Sequence, residues 1–234
     1  PRLSVCLTFD DPWQGLSVRW WVRVMPCVGA ISVQCEIRSE NAPLGSYNRS
    51  DFENVIDSVP VPDDVQSIES VVFRARSDRT NELVDVQNGS VESLQSAGAL
   101  GNILYVLTES GKGLFVLHDG PCREDRRQET EADFRIQDGR LQCLGWGIRP
   151  EEIVHRQYRR SCSVTVGTFN GGSLDAQAAL KRFLRRRYPS LGRSRPVIIA
   201  NPWGDRKWYE HAHAAFVHEE LAACSEIGIT DYQL

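Results

Sequence analysis

The 234-residue chain has no C-x-x-C pair. Its seven cysteines (Cys6, Cys27, Cys35, Cys122, Cys143, Cys162, Cys224) are odd in number and widely scattered. That pattern excludes a zinc knuckle and argues against a disulfide framework. It predicts small buried hydrophobes in a reducing compartment, which favours the cytoplasm. Two triplets, Asn48-Arg49-Ser50 and Asn88-Gly89-Ser90, match the glycosylation pattern and pull weakly the other way. No apolar run reaches bilayer-spanning length, so no membrane partner is expected. No basic-then-apolar leader precedes the first strand, and the chain begins at Pro1. The expectation is that the true N-terminus is missing or processed. A net charge of −4 gives no global attraction to nucleic acid or anionic lipid. There is no internal repeat. "FNGGS" lacks the Lys of a phosphate-binding loop.

Metal and nucleophile constellations are missing too. His211, His213 and His218 invite comparison with a metal site. On a helix the first two point about 200° apart, and His211 and His218 lie two turns apart. "HEELA" has Ala222 where H-E-x-x-H needs its second His. No metal or other cofactor is expected. No Ser-His-Asp or Cys-His arrangement can be argued from the spacing.

The first 170 residues read as β. "LSVCLTF", "LSVRWWVRV", "AISVQCEI", "SVVFRARS", "NILYVLTE", "GKGLFVLHD", "DFRIQ" and "RLQCLGWG" are rich in β-branched and aromatic residues. Asn88-Gly89, Ser110-Gly111 and Asp138-Gly139 supply turn chemistry between them, the last being the strongest hairpin signal. Many short strands with almost no helical periodicity predict a mainly β fold, a large antiparallel β-sandwich, over 1–170. "CREDRRQETEAD" reads as a solvated loop.

Near residue 170 the texture changes. "SLDAQAALKRFLRRRYP" predicts a helix with Ser173 as N-cap, Asp175 in the first turn and Arg in the last. Its basic cluster, Lys181, Arg182, Arg185, Arg186 and Arg187 with Arg193 and Arg195 beyond, reads as a solvated face. It lacks the aromatic interleaving of a nucleic-acid site, so no nucleic-acid partner is expected. Residues 171–196 read as a helical linker. "VIIA" then suits a strand buried on both faces, Asn201-Pro202-Trp203-Gly204 a turn, and Asp205 the cap of a second helix running to about Ile227. Val217, Leu221 and Cys224 form its apolar stripe, with Phe216 and Ile227 alongside. Gly228 suits the position after its end, and "ITDYQL" opens another strand. One βα unit cannot bury its own faces, so 197–234 needs more strands beside it, closed as a barrel or flanked as an open sheet.

These last residues resemble a known family. "RPVIIANPWGDRKW…AACSEIGITDYQL" is similar to the beginning of the catalytic barrel in α-galactosidase-like glycoside hydrolases, the family 36 group of clan D. In that group the first barrel strand ends in Asn-x-Trp, matched by Asn201-Pro202-Trp203. A helix, a Gly turn and a second strand follow, matched by Gly228 to Leu234. Asp-Asp-Gly-Trp comes next in the family, and this chain stops just before it. A large β-sandwich and a helical linker precede the barrel there, places that 1–170 and 171–196 would occupy, and the resemblance implies that 197–234 is the start of an incomplete (β/α)8 barrel.

The resemblance implies the N-terminal part of a retaining α-glycoside hydrolase, its β-sandwich supporting the barrel and shaping the substrate mouth. It implies an oligosaccharide or α-galactoside substrate for the full protein, and is compatible with a homo-oligomer. It implies no catalytic residue here: nucleophile and acid/base lie beyond Leu234, so the chain alone is expected to be inactive. Asn201 and Trp203 would sit where barrel active sites form. There an indole stacks on a sugar face and an amide bonds hydroxyls. Asp205 is a further candidate for substrate contact. Asp10-Asp11-Pro12-Trp13 resembles Asp-Asp-Gly-Trp, but it follows the first sandwich strand, where Asp-Pro favours a turn. Trp13, Trp20 and Trp21 are read as packing residues that could instead reach a substrate. The alternative is a non-catalytic β-sandwich module binding carbohydrate or protein.

Overall fold

The structure is a computed structural model and describes residues 3–11, 15–40, 55–73, 84–120, 132–148, 150–188, 199–200 and 213–232. The chain divides into two compact units, residues 1–187 and 188–234.

The first unit is mainly β. Its strands are β1 (Leu3–Asp11), β2 (Leu16–Met25), β3 (Ala30–Ser39), β4 (Val55–Pro60), β5 (Val65–Phe73), β6 (Val84–Gly89), β7 (Ile103–Thr108), β8 (Lys112–Asp119), β9 (Phe134–Gln137), β10 (Arg140–Leu144) and β11 (Arg159–Asn170). Eight form one antiparallel sheet in the order β1-β2-β3-β11-β8-β7-β5-β6, and β4-β10-β9 form a second. Two helices accompany them, α1 (Val91–Ser96) and α2 (Ser173–Arg187).

Local chemistry explains the connections. Asp138 and Gly139 both take positive φ, 51° and 70°, as a two-residue type I′ hairpin requires. Gln137 and Arg140 therefore pair directly. Ser110-Gly111 turns β7 into β8, with Gly111 at φ 72°. Asn88-Gly89 makes no turn; it ends β6. The reversal follows it, where Ser90 and Ser93 cap α1 reciprocally: Ser93 N–H donates to Ser90 Oγ and Ser90 N–H to Ser93 Oγ.

The middle of the large sheet, β5, β7, β8 and β11, is covered on both faces. On one, the three-stranded sheet and α1 pack down: Ile56, Leu94, Phe134, Ile136 and Leu141 meet Ile68, Leu104, Val106, Val116 and Val164. On the other lies α2. Its buried residues Ala176, Ala179, Leu180 and Phe183 fall at i, i+3, i+4 and i+7, one helical stripe. They pack on Tyr105, Phe115, Leu117 and Phe169, with the Phe115 and Phe183 ring centroids 6.1 Å apart. The basic residues Lys181, Arg182, Arg185 and Arg186 point to solvent, as expected. Ser173 is not the cap. It is the first helical residue, and its hydroxyl donates to Glu69 of β5. The Gly172 carbonyl accepts the first helical N–H groups.

Two glycines seat aromatic rings between β8 and β11. Phe115 lies opposite Gly167, and Phe169 opposite Gly113. A Cβ on Gly167 would come within 2.1 Å of Phe115, and one on Gly113 within 2.1 Å of Phe169. Each strand thus gives up a side chain to accommodate its neighbour's ring.

The second unit holds β12 (Ile199–Ala200), α3 (Ala214–Glu226) and β13 (Asp231–Tyr232). The two strands pair in parallel across the helix. Among the described residues, no helix is long and apolar enough to cross a membrane. The cysteine expectation needs correction. Cys35, Cys143 and Cys224 are buried and Cys162 is partly buried, but Cys6 and Cys27 are exposed on an edge strand and a 3-10 turn. Cys122 lies outside the described residues.

Candidate functional site

The residues expected to touch a sugar, Asn201, Trp203 and Asp205, lie outside the described residues, as do Trp13 and His211. The elements that flank the site are defined. β12 ends at Ala200, immediately before Asn201 in sequence, and Ala200 is paired with Tyr232 of β13. The C-terminal ends of two parallel strands therefore lie side by side.

The helix joining them has well-formed ends. His213, not Asp205, caps the described helix: its Nδ1 accepts from the Phe216 N–H at 3.3 Å. At the other end the Ile229 N–H reaches the Cys224 carbonyl and the Gly228 N–H the Ser225 carbonyl. With Gly228 at φ 79°, this is the Schellman closure expected of a glycine there. The expected apolar stripe is only partly covered. Cys224 is buried, while Leu221 and Ile227 are exposed. Leu221, Cys224 and Tyr232 line an open depression of about 430 Å³ with Thr230 and Asp231. Asp231 accepts a hydrogen bond from the Thr230 hydroxyl at 2.6 Å. Among the described residues, no cluster of His, Cys, Asp or Glu has metal-binding geometry.

The first unit gathers a polar and aromatic cluster of which the sequence pointed only to Asp10 and Trp21. Arg19 and Trp21 of β2 and Glu36 and Arg38 of β3 share one face of the sheet, following its alternation. The Glu36 carboxylate accepts from Trp21 Nε1 at 3.0 Å and from Arg160 at 3.0 and 3.2 Å. Burial alone would raise the Glu36 carboxyl. The Trp21 and Arg160 hydrogen bonds and the Arg160 and Arg19 charges outweigh it, and the carboxyl titrates below its ordinary range. Two guanidinium groups lie near the Tyr158 ring, Arg19 at 4.0 Å and Arg38 at 4.8 Å from its centre. Its hydroxyl meets Ser17, which donates to Asp10 at 2.7 Å.

Asp10 and Asp11 are thus the last residues of β1, paired with Ser17 and Leu16. Trp20 points to the opposite face and packs with Leu16, Val18, Ile37 and Ile153. The signal that could have exposed the cluster is the run of charged and aromatic residues at alternate positions 19, 21 and 23 on β2. Its partners Tyr158 and Arg160 are more than a hundred residues away.

Neither a family model nor any curated protein sequence matches this chain. Solved structures do. The α-galactosidase from Lactobacillus brevis is 10% identical, with a TM-score of 0.52 over 99% of this chain and 32% of its own. The GH36 α-galactosidase AgaA from Geobacillus stearothermophilus, as a variant in complex with raffinose, is 12% identical, with a TM-score of 0.55 over all of this chain and 33% of its own. The galactosidase domain of an α-galactosidase-sucrose kinase, AgaSK, is 10% identical, with a TM-score of 0.54 over 99% of this chain and 32% of its own. The chain spans about a third of the length of the structures it matches. The likeness is one of fold.

Proposed function

We propose that this chain forms the N-terminal third of a retaining α-glycoside hydrolase of the α-galactosidase type. The observation that carries the reading is the extent of the fold match: nearly the whole chain superposes on GH36 α-galactosidases and uses a third of their length. The parallel β12-α3-β13 unit supports it, because that is how a (β/α)8 barrel begins. In this reading residues 1–170 are the β-sandwich, 171–196 the connection and 197–234 the first part of the barrel. The sandwich supports the barrel and shapes the mouth through which an α-galactoside or oligosaccharide enters. The Geobacillus enzyme in complex with raffinose holds an oligosaccharide of that class.

Retaining hydrolysis requires two carboxyl groups about 5 Å apart across the scissile bond, contributed by barrel strand ends. This chain supplies two strand ends, so the chain alone is inactive. Asn201 and Trp203 hydrogen-bond and stack on the sugar in the complete barrel, and Asp205 lies beside them.

The test is to read the coding sequence downstream of the Leu234 codon and to assay its product. An open frame through Asp-Asp-Gly-Trp, whose product cleaves p-nitrophenyl α-galactoside while residues 1–234 do not, is the expected result. A stop codon directly after Leu234, with a 234-residue product that binds oligosaccharides without cleaving them, would overturn it. The chain would then be a non-catalytic module, and the Trp21–Tyr158 face its first candidate surface.

A further inference from the structure

β1 is an edge of the eight-stranded sheet, and it lacks the devices that usually protect an edge. It pairs with β2 over nine consecutive residues without a bulge. It holds no Pro, no Lys and no Arg, and its carboxylates stand only at its last two positions, Asp10 and Asp11. Alternation puts Leu3, Val5, Leu7 and Phe9 on one face, and they are 62%, 43%, 43% and 51% exposed. Among the described residues nothing pairs with the outer side of β1, whose open backbone donors and acceptors run beside an exposed row of apolar side chains.

We propose that β1 pairs antiparallel with β1 of a second copy of this chain, on a two-fold axis through Cys6. Three observations select this occupant. The strand is self-complementary in that register: Leu3 faces Phe9, Ser4 faces Thr8, and Val5 faces Leu7 of the other copy. Every apolar residue meets an apolar residue on the same face. Sliding by two residues in one direction sets Leu3 against Asp11; in the other it sets Phe9 against Pro1, beyond the strand. Charge favours the antiparallel sense as well, since it holds the Asp10 and Asp11 carboxylates of the two copies at opposite ends of the junction. Finally, a two-fold contact closes on itself and leaves no further edge of this kind, unlike a head-to-tail stack. The two large sheets then run on as one.

The register has a built-in reporter. Cys6 is exposed and carries a free thiol. Directly opposed residues of an antiparallel pair have Cα atoms about 4.5 or 5.5 Å apart, and both lie within disulfide range. The two Cys6 thiols can therefore be joined by a mild oxidant such as diamide, which takes up their two hydrogens as the S–S bond forms.

The experiment takes the 234-residue chain at micromolar concentration. It measures mass by sedimentation and cross-linking by diamide with peptide mapping. A dimer that diamide locks through Cys6–Cys6 is expected. Cys6→Ser should remain dimeric and lose the cross-link. Val5→Lys, which places an unpaired charge in the junction, should raise the dimer dissociation constant about 100-fold or more. A monomeric wild-type chain would overturn the proposal, and so would a cross-link that persists in Cys6→Ser. The mapped cross-link decides the matter even if Val5→Lys fails to fold.

Discussion

At the residue scale, two buried groups make the fold sensitive to alkali. Burial pushes the Cys35 thiol up to about 11, aided by the Asp57 carboxylate. Burial also pushes the Tyr105 phenol up to about 12, aided by Glu69. Both are neutral when protonated, and both ionise more readily in the unfolded chain. Their contribution is complete below the ordinary values of 9.0 and 10.0 and is lost as pH rises through the folded ones. Stability should therefore fall between about pH 9 and 12, by on the order of 2 kcal/mol for each group. Urea midpoints measured across that range check this. Tyr105→Phe should flatten the upper half of the fall and leave the lower half in place.

At the element scale, the β8–β11 pair and α2 carry the sharpest expectations. Gly167→Ala forces Phe115 out of its seat and should cost about 1–3 kcal/mol. Gly113→Ala should cost more, because its Cβ would also stand 2.6 Å from the Val106 carbonyl, which cannot swing away. Phe183→Ala empties the contact between helix and sheet and should cost about 3–5 kcal/mol. Chemical denaturation of the three variants measures all of this.

The helix was legible in advance from Asp175 in its first turn, the arginines in its last and the stop at Pro189, although Ser173 is its first residue and not its cap. Its docking on the sheet was not, since periodicity reports a buried face without naming its partner. β11 was harder to see. Its helix-side face carries Ser161, Ser163 and Thr165, all buried. Small polar residues satisfied by hydrogen bonds, as Ser161 Oγ is by the Cys35 N–H, leave little hydrophobic signal. α1 escaped notice for another reason: a six-residue helix with one buried side chain, Leu94, is too short to show a period.

At the scale of the whole molecule, the architecture was readable from strand-rich segments, hairpin turns and the β-α-β tail. The Glu36–Arg160–Trp21 cluster was not, because it depends on pairing across 124 residues of chain. Its worth can be measured. Glu36→Ala leaves Arg160 and the Trp21 indole without their acceptor and should destabilise the first unit by about 1–3 kcal/mol at pH 7. The loss should shrink as pH falls through the carboxyl's lowered range, because a protonated Glu36 no longer pairs with arginine. Stability curves at pH 7 and pH 3 for wild type and variant separate this charge-dependent part from simple loss of packing.

The strand order carries a consequence for synthesis. β11 is the last strand of the large sheet to be made, yet it lies in the middle, between β3 and β8. Until residues 159–170 leave the ribosome, the β1-β2-β3 meander and the β5–β8 group have no common strand in that sheet. Each exposes an inner edge until β11 fills the gap between them. The helix that seals the sheet follows the keystone strand by only two residues, Gly171 and Gly172. Closure of the sheet and its covering thus become nearly a single event late in translation. A nascent chain halted before residue 159 is two open-edged pieces, the state in which this molecule most needs a chaperone.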